Sequence, residues 1–359
     1  MNDMKRAKRI FRLIAAFLII GAVAGTIYLL LSKEDMNNPA LALNNTSKLS
    51  KIEIISITPR GVVGSYDIQD LALLNNNEFW AVGYDGEHTQ RLYYSKNSGK
   101  TWDHVDTPGN GFTLKAISFS DSQHGWAVGG NGTIIRTTNG GKSWELVKSP
   151  TEANLQAVHF FNSQIGYIAG NKGLLNPIND EVTGNVEILC TNDGGITWHR
   201  CYSRNQHLSV FQILALSEAE AYVVLGGNQL IRTLDKGQTW EEVSSQAKSI
   251  HSIALSSDGT KWLAGYGGIF LQSRGTDWGQ AISVIENSPT NKWEAIAFIN
   301  KGNGLAVGEN GILVFTSNNG KSWESPKFDI SDNLRAIRLK DSVGVILGSK
   351  NLYYISFLP

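Results

Sequence analysis

One eight-residue pattern that ends in tryptophan recurs along this chain of 359 residues and constrains its fold more than any other feature. The pattern is Ser/Thr-x-Asp/Asn-x-Gly-x-Ser/Thr-Trp, and it is intact at 95–102, 137–144, 191–198, 233–240 and 316–323. A sixth copy at 271–278 keeps only the glycine and the tryptophan in register. A unit that recurs every ~40–50 residues indicates a repeat architecture.

Two short apolar strands form the first half of each repeat unit, and they occur seven times. The first strands begin at Leu71, Lys115, Gln156, Gln212, His251, Glu294 and Arg335. The second strands end at Gly83, Gly129, Gly170, Gly226, Gly265, Gly308 and Gly348. Short runs of branched residues bounded by turn formers are typical of strands. With one strand entering the motif and one leaving it, each unit is predicted to be a four-stranded antiparallel blade of a β-propeller.

The two ends of the repeat predict how the ring closes. The seventh unit stops at Pro359 without a fourth strand, while the segment KIEIISIT at 51–58 precedes the first unit. If 51–58 completes the last blade, no open edge remains between the ends. We therefore predict an all-β fold, a seven-bladed β-propeller over 51–359. The longer interval before Trp198 predicts an extended loop at 172–185 in the third blade.

Each residue type of the motif has a predicted structural role in a hairpin turn. The Asp or Asn accepts backbone N–H groups, the glycine takes a positive φ, and the tryptophan packs between blades and donates its N–H to a turn carbonyl. The Gly-Lys-Ser of TTNGGKSW does not form a phosphate-binding loop, because Arg136 stands where that loop needs its first glycine. The predicted structural residues are Asn97, Gly99, Trp102, Asn139, Gly141, Trp144, Asp193, Gly195, Trp198, Asp235, Gly237, Trp240, Asn318, Gly320 and Trp323.

The motif spacing resembles the Asp-box (BNR) repeat, and a longer segment narrows the resemblance. The sequence GWAVGGNGTIIRTTNGGKSW at 125–144 resembles the photosystem II stability/assembly factor family. This resemblance covers about 66–357 and implies a seven-bladed extracytoplasmic propeller that acts by binding other proteins. It therefore predicts an assembly or stability factor for a membrane or envelope complex.

The same resemblance implies an arginine patch on one face of the propeller that binds the partner. Arg136 and Arg232, each eight residues before a tryptophan, match the Ile-Arg-Thr element of the family. Arg335 and Arg338, which flank the strand RAIRL, are expected to enlarge that patch. The alternative is that Arg136 and Arg232 form ion pairs with acids on the adjacent blade.

A sialidase-like glycosidase or a carbohydrate-binding propeller is the alternative function, because Asp boxes also occur in sialidases. Resemblance to those enzymes implies three arginines around the substrate carboxylate and an Arg-Ile-Pro element. This chain offers Arg60 in TPRGVV without Ile-Pro. Its seven histidines show neither metal-binding nor catalytic spacing. We therefore predict no catalytic residue, no cofactor, no metal site and no enzymatic activity.

The amino-terminal segment has a composition of its own. Residues 1–33 hold six Lys/Arg and one Asp, and Leu13–Leu31 is an uncharged apolar run of 19 residues. A helix of that length crosses a bilayer. The positive-inside rule then predicts a cytoplasmic segment at 1–12, a transmembrane signal anchor at 13–32, a tether at 33–50 and an extracytoplasmic propeller. A cleaved signal peptide is the alternative, but its apolar region is shorter, ~7–15 residues.

The charge of the remaining chain bears on its partners. Beyond residue 33 the chain holds 26 basic and 31 acidic residues, a net charge of −5. A mildly acidic body is a poor match for nucleic acid, which binds concentrated basic surfaces. The predicted partners are therefore the cell membrane, through one helix, and another protein.

Two cysteines, Cys190 and Cys201, lie eleven residues apart in what is expected to be an oxidising compartment. Strand alternation points Cys190 to the face opposite that of Leu189, and a bulge in the turn would change this parity. A disulfide and two independent small residues both stay open on this reasoning.

Overall fold

The structure is a computed structural model, and it describes a series of stretches of the chain. These are residues 46–48, 52–57, 68–84, 90–108, 113–175, 182–206, 208–244, 249–267, 269–273, 278, 282–283, 292–325 and 330–357. The predicted cytoplasmic segment at 1–12 and signal anchor at 13–32 lie outside them. Within the described stretches, no helix has the length and apolar character needed to span a membrane.

Short strands dominate the secondary structure, as their branched residues and glycine-bounded ends predict. The first half of the chain forms β1 (Thr46–Lys48), β2 (Ile52–Ile57), β3 (Ile68–Leu73), β4 (Phe79–Tyr84), β5 (Gln90–Ser95), β6 (Asp103–Val105), β7 (Leu114–Phe119), β8 (Gly125–Gly129), β9 (Ile134–Thr137), β10 (Glu145–Val147), β11 (Asn154–Phe160), β12 (Gly166–Leu175), β13 (Val182–Thr191) and β14 (His199–Asn205). A 3₁₀ turn at Gly130–Gly132 follows β8.

The second half continues with the same element lengths. It forms β15 (Val210–Ala215), β16 (Ala221–Leu225), β17 (Gln229–Thr233), β18 (Glu241–Val243), β19 (Ile250–Leu255), β20 (Lys261–Gly265), β21 (Ile269–Ser273), β22 (Ile282–Ser283), β23 (Trp293–Phe298), β24 (Gly304–Gly308), β25 (Leu313–Thr316), β26 (Leu334–Lys340), β27 (Val343–Gly348) and β28 (Leu352–Phe357). Two further 3₁₀ turns lie at Asn300–Gly302 and Glu309–Gly311.

These strands make seven antiparallel sheets, which we number as blades 1 to 7. Blades 1 to 5 are β3–β6, β7–β10, β11–β14, β15–β18 and β19–β22, and blade 6 is β23–β25. Blade 7 has the order β1-β2-β28-β27-β26. The first strands of neighbouring blades contact one another around the ring, and β26 of blade 7 meets β3 of blade 1. The predicted all-β, seven-bladed propeller is confirmed.

The two ends of the described chain meet in blade 7. β2 pairs with β28 from Ile52 with Phe357 to Ile57 with Leu352, which is the closure that the repeat pattern predicts. β1 then pairs with β2, so Thr46–Lys48 is a fifth strand within the segment predicted to be an irregular tether. The tether prediction is wrong for these three residues. Their polar sequence shows no alternation, and β2 supplies the pairing that makes them a strand.

The insertion in blade 3 is also more regular than predicted. β12 and β13 run on together past the length of the other blades, and the last described pair joins Leu175 and Val182. Most of the segment predicted as a loop at 172–185 is therefore a hairpin extension. Its strands continue because each finds its backbone partner in the other, whatever their side-chain pattern.

The hydrophobic core is divided among the blade interfaces. Seven buried clusters, one at each interface, hold the apolar residues of the described chain. Between blades 2 and 3, for example, Trp126 and Val128 pack against Leu155 and Ile168. Because each blade has a core on both faces, its middle strands are apolar on successive residues, unlike a sheet with one solvated face.

Each innermost strand carries a β-bulge at its second or third residue. The pairing register shifts at the same place in all seven blades, and the extra residues are Gln69, Lys115, Gln156, Phe211, His251, Glu294 and Arg335. A bulge bends its strand and increases the local twist. The short strand patterns in the sequence do not reveal these bulges.

The structure decides the question of the cysteines. Cys190 and Cys201 form a disulfide, and their Cα atoms are 5.9 Å apart. The register between β13 and β14 shifts between Ile188 and Leu189, which makes Cys201 an extra residue. Diagonal residues of an antiparallel pair are ~7–8 Å apart, beyond the usual Cα separation of a disulfide. The bulge at Cys201 shortens this separation.

Candidate partner-binding surface

The repeated motif forms the same hydrogen-bonded turn in each intact copy. In blade 2, Asn139 Oδ1 accepts the backbone N–H of Ser143 at 3.0 Å, and Thr137 Oγ1 accepts that of Gly141 at 2.9 Å. Gly141 has a φ of 86°. In blade 4, hydrogen bonds from Thr239 lower the pKa of Asp235. The predicted roles of the acid or amide, the hydroxyl and the glycine thus describe these turns.

The tryptophans of the motif pack between blades as predicted, but one part of their predicted role is wrong. Trp102 Nε1 donates to Gly99 O at 2.9 Å. The indole nitrogens of the equivalent residues are buried without a hydrogen-bond partner among the described residues: Trp144, Trp198, Trp240 and Trp323. Their rings stand nearly perpendicular to a neighbouring aromatic ring, at 69° to 90°. This ring lies across the interface for Trp144, Trp240 and Trp323, and in the same blade for Trp198. Packing therefore sets the ring direction.

The motif turns share one face of the propeller with the loops that join the first and second strands. Gly140 N donates to Gln123 O at 2.9 Å, and Gly194 N donates to Gln164 O at the same distance. We call this side the turn face. On this side, near its end, the third strand of each blade carries the residue eight positions before the motif tryptophan.

Arg136 and Arg232 lie at this position and form ion pairs within their own blades. Arg136 Nη2 is 2.7 Å from Glu145 Oε1, and Arg232 Nε is 2.7 Å from Glu241 Oε1. The arginine side chains are 16% and 13% exposed, whereas the glutamates are 61% and 58% exposed. The expected alternative of pairs with the adjacent blade is wrong, because the hairpin register places each glutamate directly opposite its arginine.

Each arginine is also held by a second group. Arg136 Nη1 donates to Gly194 O at 3.3 Å, so it reaches the motif turn of blade 3. Burial disfavours the charged form of Arg232, but hydrogen bonds to Glu241 and Tyr222 outweigh this effect and raise its pKa. Both guanidinium groups are therefore fixed in position at the turn face.

The glutamate partners were missed in the sequence, although a signal for them exists. In this hairpin the residue eight before the tryptophan pairs with the residue one after it. Trp144 and Trp240 are each followed by glutamate in the two blades that carry the arginine. If this strand pairing is assumed, the sequence predicts both ion pairs.

Arg335 and Arg338 lie elsewhere, on the innermost strand of blade 7. Arg335 Nη2 donates to the carbonyl oxygens of Ile68 at 3.4 Å and Gly348 at 3.2 Å. Arg338 forms an ion pair with Asp70 of blade 1. The structure thus places these two arginines beside the central channel, while Arg136 and Arg232 lie on third strands further out.

Comparisons with known proteins agree with this architecture. The family described as photosynthesis system II assembly factor YCF48 matches residues 103–177. A Prochlorococcus marinus (strain MIT 9313) protein, named photosystem II assembly lipoprotein Ycf48, is 30% identical over 253 residues, which are 58% of this chain and 73% of that protein. The chain belongs to the YCF48 family of photosystem II assembly factors. A relative of the same name from Synechococcus sp. (strain CC9902) is 28% identical over 286 residues, 68% of this chain and 83% of its own length.

A solved structure supports the fold of this YCF48 family member. The structure described as YCF48 bound to D1 peptide superposes with a TM-score of 0.67 and 19% sequence identity, covering 87% of this chain and 98% of that one. At this identity the likeness shows the fold. The relatives are named as assembly factors and not as enzymes, which fits the expectation from the sequence.

The YCF48-family propeller differs from the arrangement that a sialidase resemblance implies. Among the described residues, the innermost strands carry two arginines, Arg335 and Arg338, and both are bound by groups of the protein itself. No group of three or more His, Cys, Asp or Glu side chains in the described stretches has the geometry of a metal site.

A cleft opens on the side of blades 2 and 3 that faces away from the motif turns. Its volume is ≈ 940 Å³, and the extended hairpin of blade 3 forms one wall. At its base the buried Glu187 accepts from Thr151 Oγ1 at 2.6 Å and lies 3.1 Å from Arg200 Nη1. Lys172 and Glu152 form an ion pair at 3.1 Å. The charges that line the cleft are thus paired with one another.

The lowered pKa of one histidine near the channel predicts how the stability of the protein depends on pH. Burial and, second, the charge of Arg338 lower the pKa of His159 from 6.5 to about 4. The unfolded chain therefore binds this proton more tightly, and stability present above pH 6.5 is lost as the pH falls towards 4. We expect the free energy of unfolding to fall by about 3 kcal/mol from pH 7 to pH 4 through this residue.

Urea unfolding of the wild type and of His159→Gln, measured at several pH values from 7 to 4, checks this prediction. Carboxylates also titrate in this range, so the difference between the two proteins isolates the histidine. The wild type should lose more stability than the variant. Equal losses in both proteins would show that His159 titrates normally.

Proposed function

We propose that this chain is a membrane-anchored assembly factor that binds a segment of another membrane protein on its turn face. Membership of the YCF48 family supports the assembly role. The solved relative described as bound to D1 peptide is a precedent for a peptide partner on this fold. The proposed binding residues are Arg136 and Arg232, with Arg335 and Arg338 contributing from the channel side.

One observation carries the choice of surface: fixed arginines and exposed apolar side chains share the turn face. Arg136 contacts the blade 3 turn, which carries Ile196, 61% exposed. Arg232 immediately precedes the blade 4 turn, which carries Leu234, 49% exposed. Protein-binding surfaces combine exposed apolar anchors with arginine in this way.

The ion pairs define how the arginines bind a partner. Because Glu145 and Glu241 are more exposed than the arginines they cover, a carboxylate of the partner must displace them to reach the guanidinium groups. The glutamates are the solvent-exposed halves of these pairs, and a partner carboxylate restores the ion pair that it breaks. Such an exchange therefore costs little, and it selects for partners with acidic residues.

We propose that the apolar run Leu13–Leu31 anchors the propeller in the cell membrane. Relatives in the family are named as lipoproteins. Residues 1–50 of this chain hold no cysteine to which a lipid is attached. An apolar helix that crosses the bilayer serves the same purpose, and the basic residues before it keep the amino terminus in the cytoplasm.

Affinity capture from solubilised membranes tests the binding surface. Replacing Arg136 and Arg232 together with alanine should reduce the captured partner at least ~10-fold, as expected for two charge-assisted hydrogen bonds. Replacing Glu145 and Glu241 together with glutamine should increase capture, because the arginines are then uncovered. Quantitative mass spectrometry of the captured proteins measures both effects.

The double variant Lys172→Ala with Arg204→Ala is the matched control, since it removes two exposed positive charges of blade 3 on the side away from the motif turns. It should capture the partner as the wild type does. The proposal fails if no protein is enriched over a mock capture, or if the control lowers capture as much as the arginine variant. If the arginine variant lowers capture while the glutamine variant does not raise it, the exchange mechanism is wrong.

A further inference from the structure

The innermost strands, which surround the central channel, share one position three residues after each bulge. The residues are Ala72, Ser118, His159, Leu214, Ala254, Ala297 and Arg338. Five of them are small or apolar. His159 and Arg338 are the exceptions, and they lie on blades 3 and 7, three blades apart in a ring of seven. At this level the channel therefore has two long polar side chains on opposite sides.

Arg338 has hydrogen-bonding capacity that the ring closure does not use. Its Nη2 pairs with Asp70, and its Nη1 donates to Ile337 O at 3.0 Å. Asp70 is already occupied, because it also accepts the backbone N–H groups of Leu71 and Ile117 at 2.8 and 3.0 Å. A guanidinium has five N–H donors, and the Arg338 side chain is 41% exposed. Further donors are thus left for a ligand.

His159 presents a single donor from the other side. Its Nδ1 accepts the backbone N–H of Ala215 at 3.1 Å, so the proton of the neutral ring lies on Nε2. No hydrogen bond to Nε2 is found among the described residues. The ring is deeply enclosed, and the residue as a whole is half-buried.

We propose that the central channel binds a carboxylate between the guanidinium of Arg338 and the Nε2–H of His159. Both groups are hydrogen-bond donors, and Arg338 is close enough to His159 for its charge to lower the pKa of the imidazole. An anion between them is attracted by the guanidinium charge and accepts a hydrogen bond from the neutral imidazole. A carboxylate matches the planar fork of arginine better than a spherical anion does. The carboxylate belongs to a small organic acid or to an acidic side chain of a bound protein.

Arg338 also belongs to the proposed binding residues, but the inference goes beyond that function by adding His159 and a carboxylate ligand, and its test does not depend on the turn-face pairs. Formate titrated into the full-length chain in detergent, with ¹³C-labelled histidine, tests it by NMR. The His159→Gln variant assigns the His159 signal. We expect this signal to shift saturably, with a half-saturating concentration of about 1–50 mM. Chloride at the same ionic strength should not reproduce the shift.

Substitutions of Arg338 provide the decisive comparison. Arg338→Met should abolish the saturable response. Arg338→Lys keeps the positive charge and the ion pair with Asp70 but loses the planar guanidinium, so it should weaken the response at least ~10-fold. Lys340→Met, on the same strand, should respond as the wild type does. The proposal is overturned if the wild type shows no saturable shift, or if Arg338→Lys and chloride give the same response.

A second arm identifies the source of the carboxylate. The blocked peptides acetyl-Gly-Glu-Gly-amide and acetyl-Gly-Gln-Gly-amide differ only in the acidic side chain. A response to the glutamate peptide alone, lost in Arg338→Lys, assigns the site to an acidic side chain of a partner. A response to formate alone assigns it to a small acid. If neither ligand binds, the channel is not a carboxylate site.

Discussion

Replacing Gly141 with alanine should lower the free energy of unfolding by about 2–5 kcal/mol. The glycine has a φ of 86°, a conformation that costs an alanine about 1–2 kcal/mol. A Cβ atom at this position would also lie 2.0 Å from Trp80 Cζ2 of blade 1. Forcing a methyl group into a packed interface adds about 1–3 kcal/mol. Urea unfolding followed by far-UV circular dichroism measures the loss.

A second glycine separates the two contributions. Gly259 has a φ of 82°, and a Cβ atom there would meet nothing within 4 Å. Gly259→Ala should therefore cost only the conformational term, about 1–2 kcal/mol. In the background of Trp80→Phe, which shortens the ring and loses no hydrogen bond of Nε1, Gly141→Ala should cost less. An equal cost for Gly141→Ala in both backgrounds would show that the glycine is needed for its φ alone.

The contact between Gly141 and Trp80 recurs at other interfaces between blades. The glycine of one motif turn lies against a tryptophan on the second strand of the preceding blade. The same contact joins Gly195 to Trp126 and Gly320 to Trp262. In blade 3 the equivalent residue is Tyr167, and the space beside it is filled by the disulfide: a Cβ on Gly237 would lie 2.5 Å from Cys190 Sγ. The disulfide thus occupies the place of an indole ring.

Reducing this disulfide should lower the free energy of unfolding by about 3 kcal/mol. The cross-link joins residues eleven apart, and closing a loop of that length in the unfolded chain accounts for a loss of this size. The blade 3–4 interface should loosen locally as well, because the two sulfur atoms lie beneath the Gly237 turn. Urea unfolding with and without dithiothreitol measures the global effect.

The double variant Cys190→Ala with Cys201→Val is the control for the cross-link. Valine occupies the equivalent of Cys201 at Val105, Val147 and Val243, so this variant keeps an apolar contact and loses the covalent bond. It should be less stable than the oxidised wild type and insensitive to dithiothreitol. If the reduced wild type unfolds at the same urea concentration as the oxidised protein, the disulfide does not stabilise the propeller.

The fold was predictable because most of its determinants are local. The turn at 137–144 contains its own acceptor, positive-φ glycine and tryptophan, and five copies in phase fix the blade count with the strand patterns. The predictions are wrong where a contact with another strand or blade determines the local structure. Thr46–Lys48 becomes a strand only through β2, and the indole of Trp144 turns towards Trp80 instead of a turn carbonyl.

The candidate site was predictable in part. The sequence identified Arg136 and Arg232 by their distance from the motif tryptophan, and the turn register, had it been applied, gives Glu145 and Glu241 as well. It placed Arg335 and Arg338 on a first strand and the other two arginines on third strands, but it did not show which groups surround each position. Several of those groups come from other blades, and the sequence does not identify them.

The sequence by itself determined seven blades, their turns and the closure of the ring, because these depend on short-range turn chemistry and on a period that is visible in the chain. Only the tertiary structure decided what meets across the blades. Arg338 and Asp70 are 268 residues apart, and the disulfide depends on a bulge at Cys201. Such contacts follow from the register of whole strands and from the closed ring, and no local pattern encodes either.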